Sequence, residues 1–154
     1  GATPLFVAAS KGSHDICKLL LFHGAKVNSR NRKNWTPLHA ACAASSAISE
    51  LIETLITAGA KLNQKNCRGR TPFMVACHDK HVDIALLLLE KGANVRDECM
   101  FGRRAIHWAV KTKNLELVKA VIKAGGNLEA EDNWSKRPLF EAVRCGAVSV
   151  VQYL

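Results

Sequence analysis

Cys77, His78 and His81 stand in one short run, CHDKH, and a thiol beside two imidazoles is the donor set of a zinc site or of an activated nucleophile. The histidines are three positions apart, so a helix would turn both to one face. A closed zinc site needs four donors, and no second Cys/His pair follows nearby. The six cysteines form no C-x-x-C pair, and several sit inside apolar stretches. That usage points to free thiols in a reducing compartment, cytoplasm or nucleus. Phosphate-binding glycine loops are missing: there is neither G-x-x-x-x-G-K-[ST] nor G-x-G-x-x-G. No Ser/His/Asp set or carboxylate pair stands out. The expectation is a non-enzyme with no metal and no cofactor.

The second chemistry is cationic. Lys and Arg number 22 against 13 Asp and Glu, a net charge of +9. Such a field favours acidic partners or nucleic acid and says nothing of fold. No run of apolar residues is long enough to cross a membrane, and the chain start lacks the basic-then-apolar order of a signal peptide.

The elements that carry these residues repeat. Thr3-Pro4-Leu5, Thr36-Pro37-Leu38 and Thr71-Pro72-Phe73 match, and Arg104-Ala105-Ile106 and Arg137-Pro138-Leu139 fall at the same phase, in steps of 33, 35, 33 and 33 residues. A second marker follows the same step at Gly24, Gly59, Gly92 and Gly125. Two independent markers at one period indicate an array of stacked units. Thr is a good N-cap and Pro fits the first helical turn, where its missing N–H costs nothing. Ala8, Ala41, Ala76, Ala109 and Ala142 share one position, small enough for helices to approach closely. A second helix carries an apolar stripe, such as Ile16, Leu19 and Leu20, or Ile84, Leu87 and Leu88. The glycine then ends it.

The motifs "TPLHAA", "LLLFHGAKVN" and "LLLLEKGANV" resemble the ankyrin repeat over the whole chain. The resemblance implies an all-α repeat solenoid, a helix–turn–helix stack with β-hairpin fingers between units. One array over 1–154 divides into units 1–30, 31–65, 66–98, 99–131 and 132–154, the first and last incomplete, as in a window of a longer protein. It also makes His81 a structural residue at the start of a second helix, and Cys77 a small core residue. Departures are visible. Unit two carries two extra residues within 43–49. The hairpin glycine, Gly69 and Gly102 in units three and four, is Asn34 in unit two and Ser135 in unit five. Arg104 and Arg137 replace the capping Thr and set positive charge at the positive end of a helix.

Ankyrin-type arrays are mainly binding modules, and partners meet their fingertips and concave first-helix face. At those positions stand Arg32, Lys33, Trp35, Arg68, Arg70, Phe101, Arg103, Lys111, Trp134, Lys136 and Arg144, with Asp79 the only opposing charge among them. Trp35, Phe101 and Trp134 fall where the repeat expects solvent, unless they pack sideways on the next finger. Arg and Trp are enriched in binding hot spots. The expected partner is therefore a protein that presents an acidic or phosphorylated segment. Nucleic acid is the rival, since interleaved rings and cations also hold single strands, and some ankyrin arrays bind an oligoadenylate with a Trp placed as Trp35 is. A purely structural spacer is the third reading.

Overall fold

The computed structural model describes residues 1–46 and 48–154, so Ala47, within the expected insertion of unit two, lies outside the described residues. The described residues form helices α1 (Pro4–Ser10), α2 (His14–Phe22), α3 (Pro37–Ala43), α4 (Ser49–Thr57), α5 (Pro72–His78), α6 (Val82–Glu90), α7 (Ala105–Lys111), α8 (Leu115–Lys123), α9 (Pro138–Cys145) and α10 (Val148–Tyr153). Each odd helix packs on the even helix after it and on the next odd helix, and the even helices form a second row. No described helix is long and apolar enough to cross a membrane.

The caps explain where the odd helices start. Thr3, Thr36 and Thr71 each accept the backbone N–H three residues on, ahead of a Pro in the first turn. Arg104 and Arg137 make no such bond. Their guanidinium groups instead reach back to carboxylates, Arg104 to Glu98 at 2.5 Å and Arg137 to Glu129 at 2.6 Å. These pairs offset the positive charge placed at each helix start. His107 Nδ1 also accepts the Arg104 N–H at 3.2 Å.

The shared alanines line the seam: Ala41, Ala76, Ala109 and Ala142 are fully buried. The stripes Leu51, Ile52, Leu55 and Leu117, Val118, Val121 close the core behind them. The stripe of α2 departs from expectation. Ile16 and Leu19 are exposed and only Cys17 is buried, because α2 has a second-row neighbour, α4, on one side alone among the described residues.

The β-hairpin fingers are not formed as strands; no strand occurs among the described residues. The connections are tight turns, closed for example by Asn66 N–H to the Arg70 carbonyl (3.0 Å) and Gly69 N–H to the Asn66 carbonyl (2.9 Å). A single backbone bond ties each turn to the next: Cys67 N–H to Lys33 O, Met100 N–H to Arg68 O, Asn133 N–H to Phe101 O. One bond per turn is too little for a ladder. Asn34 and Ser135 hold φ of 57° and 55° in these turns, a region that favours glycine. The unit-two insertion lengthens the link between α3 and α4, where Ser46 Oγ donates to the Lys11 carbonyl at 3.2 Å.

Ala76→Leu should lower stability by about 1–3 kcal/mol, the usual cost of overpacking a closed seam. Ala43 is half-buried at the end of α3, so Ala43→Leu should cost less but not nothing. Urea midpoints compare the two, and equal shifts would contradict the seam.

Candidate binding face

The CHDKH run does not gather into a site. Cys77 is buried in α5, His81 Nδ1 donates to the Cys42 carbonyl at 2.9 Å, and His78 pairs with Asp79 at 2.7 Å. Burial pushes the thiols of Cys17, Cys42 and Cys77 up, which keeps them protonated and poor as nucleophiles or ligands. The described residues contain no group of three or more metal-binding side chains.

The cations of the turn face divide into two sets. In units four and five the arginines of this face, Arg103 and Arg144, are neutralised within the fold. Arg103 Nε donates to Asp132 at 3.0 Å, its Nη2 lies 3.7 Å from Glu141, and Arg144 donates to Glu141 at 2.5 Å. The Asp132 and Glu141 side chains are 1% and 3% exposed. Asp79 is therefore not the only opposing charge: two buried carboxylates oppose this end of the strip. Burial pulls Asp132 upward, but the Trp134 and Lys136 N–H groups and Arg103 outweigh it and hold the carboxyl below its ordinary range. Lys136 sits over the Phe140 ring at 4.3 Å.

In units two and three no acid of the fold meets Arg32, Lys33, Arg68 or Arg70 among the described residues. Arg32, Lys33 and Arg68 are exposed and Arg70 is half-buried. Arg70 stacks on Trp108 at 4.4 Å, with Lys111 at 5.7 Å from the same ring. Burial and Arg68 lower the Arg70 guanidinium from its ordinary value.

The rings are less free than the repeat position implies. Trp35 is half-buried beside His39, at 5.7 Å between centroids, and packs against the core. Phe101 is half-buried and stacks on Trp134 at 5.8 Å, which leaves Trp134 56% exposed. Sideways packing on the next turn thus operates for Phe101 and Trp134.

Sequence reasoning missed three residues. Trp108, 3% exposed, is the floor under Arg70; its position holds small or apolar side chains in the first three units, which hid it among the core. Asn66 is buried, its Oδ1 accepting the Arg68 and Arg70 N–H groups at 2.9 and 3.1 Å. His39 fixes the turn that carries Arg70. Its Nε2–H donates to the Arg70 carbonyl at 3.0 Å and its Nδ1 accepts the Thr36 N–H at 3.3 Å. The Thr-Pro-Leu-His of unit two is thus a cap at one end and a tie to the next turn at the other.

A family profile described as ankyrin repeats (three copies) matches residues 1–66, 42–132 and 92–154. Among curated relatives, protein phosphatase 1 regulatory subunit 12A of Mus musculus is 51% identical over 41 residues, 27% of this chain and 4% of its own length. Alpha-latrocrustotoxin-Lt1a of Latrodectus tredecimguttatus is 50% identical over 44 residues, 28% and 3% of the two chains. A putative ankyrin repeat protein of Rickettsia bellii is 44% identical over 43 residues, 28% and 18%. The aligned stretches thus span a small part of each relative.

Proposed function

Since the chain belongs to the ankyrin-repeat family, whose members generally mediate protein–protein contacts, we propose that it is a non-catalytic binding module for an acidic or phosphorylated segment of a partner protein. The segment lies along the turn face of units two to four. The observation that carries this reading is the uneven pairing of the face: Arg103 and Arg144 are matched by Asp132 and Glu141, whereas Arg32, Lys33, Arg68 and Arg70 meet no carboxylate among the described residues. Exposed cations grouped beside aromatic surface supply both steering and buried area for an anionic segment. Arg adds two-pronged recognition of carboxylate or phosphate. The relative named a regulatory subunit of a phosphatase is itself a component of a protein assembly, in keeping with such a role. Free cysteines fit a cytoplasmic or nuclear setting.

The test uses a labelled peptide of alternating glutamate and leucine, its glutamine counterpart, and a single-stranded oligonucleotide, each titrated at low and high salt. The acidic peptide should bind in preference to the glutamine form. The triple change Arg32→Gln, Lys33→Gln, Arg68→Gln should weaken it about tenfold at low salt and less at high salt, because exposed charges are screened. No preference for the acidic peptide, or tighter oligonucleotide binding with a steep salt slope, would overturn the reading.

A further inference from the structure

The stack repeats one contact with different chemistry. Arg103 of unit four reaches two positions of unit five, Asp132 in the turn and Glu141 in α9. Arg70 occupies the place of Arg103 one unit earlier. The matching positions ahead of it are Cys99 and Trp108, both buried. An arginine that is doubly paired in one interface thus has no carboxylate at either matching position in the preceding one, and Asp79 acts on it only from beyond ion-pair distance.

The polar atoms around Arg70 register that lack. Three buried side-chain nitrogens have no hydrogen-bond partner among the described residues: Arg70 Nε, Asn66 Nδ2 and Trp108 Nε1. All three are donors. Leaving a buried donor unmet is costly, so each calls for an acceptor. Arg70 and Asn66 both line a cleft of about 340 Å³ between the turns of units two and three, whose other walls are Asn31, Lys33, Trp35, Cys67 and Arg68. No carboxylate lines this cleft. Its volume is at the small end of the range of ligand pockets and has room for an acidic side chain.

The groups are also held in place. Asn66 Oδ1 is committed to the Arg68 and Arg70 N–H groups, which leaves its Nδ2 as the free end. The Arg70 carbonyl is tied by His39, and its guanidinium lies on the Trp108 ring. Such a cation is pre-organised, and little rotamer entropy remains to be lost on binding.

We infer that this cleft is an anchor for one acidic side chain of the partner segment, whose carboxylate supplies from the unit-two side the negative charge that Arg103 receives from Asp132 and Glu141 and Arg70 does not, beside Asn66 and with Trp35 as the apolar wall. The inference rests on the proposed binding of an acidic segment and locates its central contact. A phosphoryl group offers the same oxyanion chemistry, and the experiment separates the two.

The acidic peptide is titrated against the wild type, Arg70→Gln, Cys99→Asp and Lys123→Gln, with a phosphoserine version run alongside and melting followed for each variant. Arg70→Gln should weaken the glutamate peptide about tenfold or more, as loss of a paired charge at a contact centre does. Cys99→Asp is the sharper probe. It gives Arg70 an internal carboxylate in the Asp132 position, so it should weaken the peptide to a similar degree without lowering the melting temperature. Lys123→Gln, which removes an exposed cation at the end of α8, off the turn face, should leave affinity within about twofold of wild type, after correction for folded fraction. If the peptide binds wild type and both Arg70→Gln and Cys99→Asp leave affinity unchanged, the anchor is wrong while the broader reading stands. If wild type does not distinguish the acidic from the glutamine peptide, the broader reading falls and the anchor with it. Tighter binding of the phosphoserine peptide, lost in Arg70→Gln, would overturn the carboxylate assignment in favour of a phosphate.

Discussion

Arg103→Ala is expected to destabilise the array by about 3 kcal/mol, toward the lower end of what breaking a buried ion pair costs. The loss exceeds that of a surface pair because Asp132 and Glu141 are almost wholly removed from solvent and would be left as buried negative charges. Two features keep the figure at the lower end. Asp132 Oδ1 retains the Trp134 and Lys136 N–H groups, both at 3.0 Å, and Glu141 retains Arg144 at 2.5 Å. The cause can be isolated by removing the charges on both sides. Arg103→Met combined with Asp132→Asn and Glu141→Gln should recover much of the loss, since neutral amides tolerate the site better than unpaired carboxylates. Urea unfolding of the single and combined variants supplies the comparison. A cost below about 1 kcal/mol for Arg103→Ala would place the pair with ordinary surface bridges, and the unit four–five contact would then not depend on it.

Acid should weaken the stack well before its carboxylates titrate. Burial drives His39 down from 6.5 to about 4, against the smaller upward pull of its bond to the Arg70 carbonyl. The geometry gives the reason: Nδ1 is an acceptor for Thr36 N–H and Nε2–H a donor to Arg70 O, so the neutral ring is fully used and a second proton has nowhere to go. The folded state therefore takes up that proton less readily than the unfolded chain. Stability from this group is complete above about pH 6.5 and is lost as pH falls toward about 4. A shift of that size corresponds to roughly 3 kcal/mol. His107 repeats the arrangement between units four and five, its pKa likewise lowered by burial. The unfolding midpoint in urea should fall steadily from pH 7 to pH 4, and His39→Gln, which keeps one donor and one acceptor, should flatten that slope. Parallel slopes for the two proteins would show that another group carries the acid sensitivity.

Much of the architecture was legible because its causes are local. A cap, the Pro after it and the helix they start are contiguous, so Thr36-Pro37 states its own role. The fully buried alanines recur at the repeat step because each unit meets its neighbour through the same seam. The stripe of α2 misled, since the same apolar pattern is buried or exposed according to whether a neighbouring unit covers it.

The binding face was only half legible. Sequence alone places Arg32, Lys33, Arg68, Arg70, Arg103 and Arg144 on one side of the repeat and treats them alike. What distinguishes them is the unit ahead: Arg103 meets Asp132 and Glu141, while Arg70 meets Cys99 and Trp108. The Arg103–Asp132 contact spans 29 residues of chain, and only the stacking register brings those side chains together. Charge is a property of a residue and is written in its name. Whether that charge is neutralised, buried or open to a partner depends on what the fold sets within a few ångströms of it, and that was decided by the tertiary structure alone.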